Sequence, residues 1–378
     1  MTNQREVEIK KAVEHFETLL RSQIERNDKI KNSGKDEKKV RVIGICDGDG
    51  IGPIITKSAK NVLNVLLADE DVVIKEINGF NLENRLKKGQ TVPDEILAEI
   101  KDCDVLLKGP TTTPSAESGV NNIESANVFL RKELDLFANV RPVSIPEKNI
   151  DWIFFRENTE GEYALGSQGV EISDTLAFDF KVTTKEGTTR IAELAFDYAS
   201  SNDKDRVSIV TKANIMKKTD GNFLNICKDV SKNYPNIKID SWYVDIMAAN
   251  LINNDVNKEF QVFILPNLYG DIITDEAAQL QGGVGTAGSA NIGSNYAMFE
   301  AIHGSAPRMI EDGLVDYANP SSILRATSML LRHIELNDKA ELLEKALDKS
   351  LEDGINVTGL SNGNTCKELT EYVLDYIK

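Results

Sequence analysis

An α/β protein of two lobes is what this chain predicts, on three observations. Short β-branched runs alternate with stretches of helical periodicity, run after run ends on a polar side chain, and 378 residues exceed one average domain. Hydrophobic residues make up 41% and charged residues 28%, ordinary globular usage that indicates neither disorder nor a fibre. No apolar run approaches a bilayer span, and the charged start lacks the apolar segment of a secretory signal, so a soluble, cytoplasmic protein with no membrane partner is expected. Four scattered cysteines without a C-x-x-C pair argue against a zinc ribbon or redox motif and suit a reducing compartment. Only three histidines occur, so carboxylates must hold any metal. A net charge of −16 disfavours nucleic acid, and it requires an anionic substrate to be captured by locally clustered Arg and Lys.

Taken in order, Ile9, Val13, Phe16, Leu20 and Ile24 form an apolar stripe at helical spacing. They predict an amphipathic helix that packs on its own domain or its own dimer, followed by a Lys- and Asn-rich linker at 32–39. VRVIGIC (40–46), DGDGIGP (47–53) and a further apolar periodic stretch give strand, glycine-rich turn and helix. The glycines admit two readings, a backbone cradle for phosphate or simply the turn, and Asp47 and Asp49 would repel a phosphate. Residues 72–77 and 105–108 read as strands with a helix between them. The second runs into GPTTTP (109–114), a polar loop at a strand end, where open α/β sheets bind ligands.

Ser125, Asn127 and Arg131 precede or open the next helix, Arg141 ends the segment after it, and Arg156 follows the apolar run 152–155. Three arginines at element ends make either a set of bidentate carboxylate clamps or three surface ion pairs. Tyr163, in ENTEGEY, is a core aromatic or a phenolic acid. Residues 171–185 alternate apolar and polar but are too polar for a central strand, and are expected to form an arm that pairs with a second copy of the chain. A helix at 189–198 precedes a strand at 207–211 that leads to Lys212 and Asn214. The run 237–243 leads to Asp245, and 261–266 leads to NLYGDIITDEA (267–277). Asp271 and Asp275, four apart, project from one helix face, either as half a site for Mg²⁺ or Mn²⁺ or as a solvated acidic helix start. The literal G-x-G-x-x-G at Gly283, Gly285 and Gly288 follows helix-like sequence where a dinucleotide fingerprint needs a strand, so a polar loop over 282–293 is expected. HGSAP (303–307) and Asn319 form another loop before the apolar helix 323–333. No G-x-x-x-x-G-K-[ST] occurs, which disposes of a phosphate-loop hydrolase.

DGDGIGP, KGPTTTP, SANVFLRKELDLFANVRP, FRENTEGEY, TKANIM, NLYGDIITDEAA and HGSAP stand in this order, and by them the chain resembles the isocitrate and isopropylmalate dehydrogenase family of β-decarboxylating dehydrogenases. The resemblance implies a two-domain α/β fold that is not a Rossmann fold, with a cleft between the domains. With the N-terminal helix and linker at 1–39 lying outside the resemblance, a large domain from 40–136 and 282–378 and a small domain at 137–281 carrying a dimer arm near 162–185 are expected. A homodimer with shared active sites is implied, in which Asp245, Asp271 and Asp275 bind Mg²⁺ or Mn²⁺. One carboxylate and Lys212 would come from the neighbouring protomer. Tyr163 and Lys212 would be catalytic, and Arg131, Arg141 and Arg156 would hold substrate carboxylates. Thr112, Thr113, Asn214, Glu300, His303, Gly304, Ala306 and Asn319 would line the dinucleotide site.

The chemistry so implied begins when a 2-hydroxy acid gives hydride from C2 to nicotinamide and its hydroxyl proton to a base relayed through Lys212, with the cation as Lewis acid. The β-carboxylate then leaves as CO₂, and Tyr163 protonates the carbon left behind. Ser125 and Asn127 are polar where the family's isopropylmalate enzymes present apolar groups, which favours isocitrate over isopropylmalate and leaves homoisocitrate, one methylene longer, as the alternative substrate. A rival of another class is a non-catalytic, metal-dependent carboxylate-binding protein, opposed by the presence of Lys212, Tyr163 and all three aspartates. For the dinucleotide, NAD-using relatives tend to place Asp after HGSAP and many NADP-using ones Lys-Tyr. Arg308-Met309 matches neither: by charge alone Arg308 points to NADP, while the carboxylates of Glu311 and Asp312 would repel a 2′-phosphate and tip the expectation to NAD.

Overall fold

Residues 2–32, 34, 40–114, 123–173, 175–283 and 287–378 are described by the computed structural model of the chain. The expected linker, apart from Asn32 and Gly34, lies outside them, as does Gly285. In chain order the elements are α1 (Thr2–Asn32), β1 (Val42–Cys46), α2 (Gly52–Leu66), β2 (Val73–Ile77), α3 (Leu82–Lys88), α4 (Asp94–Lys101), β3 (Val105–Lys108), α5 (Ala126–Glu133) and β4 (Ala138–Ile145). There follow β5 (Ile150–Glu157), β6 (Val170–Ile172), β7 (Leu176–Phe178), α6 (Lys185–Ser201), β8 (Arg206–Thr211), α7 (Thr219–Ser231), β9 (Lys238–Tyr243), α8 (Val244–Leu251), β10 (Val262–Leu265) and α9 (Asn267–Gln281). The chain ends with β11 (Gly288–Ile292), β12 (Ala297–Ala301), α10 (Pro307–Glu311), α11 (Ser321–His333), α12 (Asn337–Glu352) and α13 (Cys366–Ile377).

Two units result. The first holds Met1–Lys35, Phe137–Asn139 and Ser144–Ala277, and the second Asp36–Leu136, Val140–Val143 and Ala278–Lys378, so that β4 is divided between them. In the second unit the strand order is β2-β1-β3-β12-β11, parallel except that β11 runs antiparallel to β12. In the first unit the order is β5-β10-β8-β9, all parallel. Every residue of β3 and β10 is buried, which is why their sequences VLLK and VFIL read as continuous rather than alternating apolar runs. Around β10 the core is aromatic: Phe154 and Phe263 stack at 4.3 Å, and Trp152 meets both edge-on.

The polar loop expected at 282–293 is in part a strand. Buried β11 occupies its second half, paired Gly288↔Ala301 through Ile292↔Ala297. Its small residues have a packing cause, because α11 crosses it so closely that a Cβ on Gly288 would sit 2.4 Å from the backbone nitrogen of Ala326. The arm expected at 171–185 is narrower than its alternation implied, a hairpin of β6 and β7 paired with each other, with Leu176 and Phe178 about half exposed. Arg141 and Arg156 lie within β4 and β5 rather than at element ends, and both are buried.

Helix α1 packs on the first unit, though not by the face its apolar stripe predicts. Leu19 is buried, His15 Nε2 and the Gln168 carbonyl oxygen lie 3.0 Å apart, and Arg26 reaches Glu160 at 3.0 Å. Those residues lie on one side of the helix. The stripe Ile9, Val13, Phe16, Leu20 and Ile24 lies one residue further on, about 100° round the axis, and each member is at least 43% exposed. Phe16 alone also stacks on Phe180, at 5.3 Å. In DGDGIGP the glycines serve close approach: a Cβ on Gly48 would lie 2.2 Å from the Pro110 carbonyl oxygen, and one on Gly50 1.9 Å from that of Ser305. Three motif loops, DGDGIGP, GPTTTP and HGSAP, are thereby drawn together within the second unit.

Candidate active site

In the first unit, α9 begins two residues after β10, and Asn267, Asp271 and Asp275 take successive turns of one face. Asn267 is buried and Asp275 is exposed. Asn267 Oδ1 accepts from Arg156 Nε at 3.1 Å and from Nη2 at 2.7 Å, while Arg156 Nη1 donates to Asp271. Tyr163 donates its hydroxyl to Asp271 Oδ2 at 3.2 Å, and its ring lies 5.4 Å from the Arg156 guanidinium. Gly270 makes room for this arrangement, since a Cβ there would stand 2.5 Å from Arg156 Cγ. The sequence alternatives for Tyr163 and Arg156 are thus narrowed. Tyr163 points its hydroxyl at a carboxylate, and Arg156 is a buried, oriented cation rather than a surface one.

Behind Asn267 lies the loop that joins β5 to Tyr163. Asn267 Nδ2 donates to the Glu160 carbonyl oxygen at 3.1 Å. Glu157, buried, accepts from the Thr159 N–H at 3.0 Å and from the Glu160 N–H at 2.6 Å. Burial and then the neighbouring Glu160 carboxylate push the Glu157 pKa up to about 7, against bonds from Thr159 and the charge of Arg26. Raised above its ordinary 4.5, Glu157 contributes stability that is whole below that value and lost as pH rises through about 7. Glu157→Gln mimics the protonated form. Its melting temperature relative to wild type should therefore climb, by about 2–4 °C, between pH about 6 and about 8. A difference independent of pH would show that Glu157 does not titrate in that range.

A second group in the same unit surrounds the end of β8 and the start of α8. Lys212 Nζ pairs with Asp245 Oδ1 at 2.5 Å, and that bond holds the Asp245 carboxyl below its usual range. The Lys212 N–H donates to buried Asp220 at 2.7 Å, which in turn pairs with Lys181 at 2.6 Å, so the turn carrying Lys212 is anchored from beneath. Asn214, beyond it, is exposed. Among the described residues no three His, Cys, Asp or Glu side chains gather to hold a metal, so one chain does not bring Asp245 together with Asp271 and Asp275. The donors nonetheless fit a hard divalent cation: all are carboxylates, and Asp271 and Asp275 share one accessible helix face.

The second unit holds the remaining candidates. Ser125 stands at the N-cap of α5, yet its side chain makes no capping bond. Asn127 accepts from Thr111 at 3.0 Å, and Arg131 follows one turn later on the same face. Glu300, expected at the dinucleotide site, is buried beside Arg131. It pairs with Arg131 at 3.3 Å and Lys108 at 3.0 Å, and accepts from Asn291 at 2.8 Å. Burial alone would raise its pKa, but the two cations outweigh burial and bring it down to about 2. Thr112 is fixed through its N–H to Asp49 at 2.8 Å and through its hydroxyl to Ser305 at 2.6 Å. Asn319 brackets two segments, donating to Val357 O at 2.9 Å and accepting from the Ser321 N–H at 2.9 Å.

Thr113 and Gly304 are exposed, and His303, half-buried, has its pKa lowered by that burial despite a 2.9 Å contact to the Gly304 carbonyl oxygen. Ala306 opens α10 at φ +46°, a left-handed conformation that is strained for a residue with a Cβ. Asn267, Lys108 and Glu160 were not singled out by sequence reasoning, and Asp49 was singled out only as hostile to phosphate. All four lie inside the quoted motifs or one residue from them, and that proximity was the available signal.

A family model described as isocitrate/isopropylmalate dehydrogenase matches residues 42–373. The alpha chain of the mitochondrial isocitrate dehydrogenase (NAD) of Homo sapiens is 37% identical over 349 residues, 90% of this chain and 91% of that protein. A regulatory chain of the mitochondrial isocitrate dehydrogenase (NAD) of Dictyostelium discoideum is 36% identical over 361 residues, 92% of this chain and 95% of that protein. Among solved structures, isocitrate dehydrogenase from Methylococcus capsulatus is 34% identical with a TM-score of 0.77, covering 89% of this chain and 99% of that one. The cytoplasmic location expected from composition is corrected by these relatives, of which the human and Dictyostelium proteins are named mitochondrial. The four cysteines are free and buried, which does not single out one compartment. With matches over nine-tenths of its length, a motif series in order and a mixed sheet that is not a Rossmann sheet, the chain belongs to the isocitrate/isopropylmalate dehydrogenase family.

Proposed function

We propose that the chain oxidises and decarboxylates isocitrate to 2-oxoglutarate and CO₂ with NAD as acceptor, using Mg²⁺ or Mn²⁺ held by Asp245, Asp271 and Asp275. The observation that carries this reading is the division of the first unit's chemistry into two incomplete groups: Lys212 with Asp245, and Asp271 and Asp275 with Tyr163 and Arg156. Each lacks what the other has, so a second copy of the chain, supplying Lys212 and Asp245 beside its partner's Asp271, completes the set. The cation, when bound, supplies Lewis-acid polarisation of the substrate's oxygens.

Lys212, its amine held by Asp245, relays the hydroxyl proton away as hydride leaves C2 for the nicotinamide. The C–C bonding pair stays on the substrate as CO₂ departs, and the Tyr163 hydroxyl returns a proton to that carbon. Arg131, Arg141 and Arg156 are the cations for the substrate's carboxylates. NAD is supported by relatives named as NAD enzymes. Isocitrate rather than isopropylmalate is supported by Ser125, with its hydroxyl left out of helix capping, and by Asn127. Ser125→Leu with Asn127→Leu should lower kcat/KM for isocitrate about 10–100-fold by removing bonds to a charged group. Undiminished preference for isocitrate over isopropylmalate would place specificity elsewhere.

A second reading, a regulatory chain without turnover of its own, is favoured by one relative's name. One assay separates the two. The purified chain is stripped with a chelator and given isocitrate and NAD, then Mn²⁺. Reduced nicotinamide that forms only after Mn²⁺ supports the enzyme; no turnover with NAD or NADP, at any Mn²⁺ level, favours the regulatory role.

A further inference from the structure

The family match begins at residue 42, so α1 lies wholly before it, yet one side chain of α1 reaches the loop that carries Tyr163. Arg26 donates through Nη1 to Glu160 Oε1 at 3.0 Å and through Nη2 to Thr159 Oγ1 at 2.8 Å. From there bonds run without a gap. The Glu160 carbonyl oxygen accepts from Asn267 Nδ2, Asn267 Oδ1 accepts from two nitrogens of Arg156, and Arg156 donates to Asp271, which also accepts from Tyr163. We propose that Arg26 is a positioning residue for the site, fixing loop 157–163 so that Asn267 holds Arg156, and Asp271 holds Tyr163, in their working orientations.

The physical case rests on charge and burial. Glu157 and Glu160 are two carboxylates within one turn of chain, 1% and 2% exposed, and such a pair is costly without a cation against it. Arg26 is placed for that, with a planar fork whose two terminal nitrogens reach a carboxylate and a hydroxyl separately. Thr184 grips Glu160 from the start of α6, by its N–H at 2.9 Å and by its hydroxyl. Arg190 approaches Thr159 at 3.4 Å. The loop is therefore clamped between α6 and α1, and withdrawing the α1 side frees the Glu160 carbonyl oxygen that aims Asn267. Had α1 needed only anchorage, Leu19 and the stack of Phe16 on Phe180 would supply it without engaging this loop.

The proposal rests on the reading of Arg156 as a substrate-carboxylate cation, and the test is built to separate the two. In the full-length enzyme, Arg26→Ala should raise KM for isocitrate about ten- to hundredfold, as small misplacements of a clamp do. KM for NAD should change little, the melting temperature should fall as Glu160 loses its cation, and added guanidinium ion should restore part of both losses. Arg26→Lys should fall between Ala and wild type. Arg21→Ala, on the exposed side of the same helix, should match wild type. An Arg26→Ala enzyme with wild-type KM for isocitrate overturns the proposal. So does one in which both KM values rise together as the fold weakens, for then Arg26 only anchors its helix. Arg156→Lys tests the underlying reading: if it leaves KM for isocitrate unchanged, that reading fails whatever Arg26 does, and if it raises KM while Arg26→Ala does not, only the role of Arg26 fails.

Discussion

Asp271→Asn should lower kcat by about a thousandfold or more while leaving the fold nearly intact. The substitution keeps the side chain's size and removes the charge that a hard cation requires of its ligand. It also weakens the acceptor for the Tyr163 hydroxyl, which lies 3.2 Å from Asp271 Oδ2. Stability should move little, because the Asp271 side chain is 39% exposed and its partner Arg156 keeps two bonds to Asn267. Titration with Mn²⁺ should reveal weakened metal binding alongside lost turnover. An Asp271→Asn enzyme with near wild-type kcat at ordinary Mn²⁺ would remove Asp271 from the metal site.

Lys212→Met should lower kcat by about 10²–10⁴-fold, the range expected when a proton-transfer group is lost. Methionine keeps much of the apolar stem and deletes the amine. Two consequences separate a catalytic role from a structural one. Asp245 loses the bond that holds its carboxyl low, so its pKa should rise toward the ordinary range, and the pH dependence of any residual rate should change shape. The turn itself should survive, since Asp220 grips the backbone N–H of residue 212 rather than its side chain. Unchanged kcat with a lowered melting temperature would make Lys212 a structural partner of Asp245 alone.

What the sequence disclosed was local and periodic. Buried strands such as VLLK and VFIL, and the i, i+4 aspartates of α9, declare themselves within a few residues of chain. What stayed hidden depended on distant partners. GSANI reads as loop by composition, and it is a strand because it pairs along β12, with its first residue kept to glycine by the close approach of α11. The stripe of α1 follows helical spacing faithfully, but spacing cannot say which side of the helix the rest of its unit meets, and polar Arg26 and His15 turn inward instead. Glu300 was read by its motif as a dinucleotide contact. Its burial beside Arg131 and Lys108 required knowing that β12 lies beside β3. Asp47 and Asp49 were read as hostile to phosphate, while the use of Asp49 to pin Thr112 and Leu82 by their N–H groups is legible only in three dimensions.

The central claim is that an active site is assembled from Lys212 and Asp245 of one copy and Asp271, Asp275 and Tyr163 of another, and mixing two inactive variants tests it. Lys212→Met and Asp271→Asn proteins are dissociated, combined in equal amounts and reassociated. Hybrid dimers then carry one site with both defects and one with neither. Random pairing makes half of the dimers hybrid, so isocitrate- and Mn²⁺-dependent NAD reduction should return to about a quarter of wild type. A mixture that pairs freely, shown by mass, yet stays as inactive as its two components would contradict the shared site.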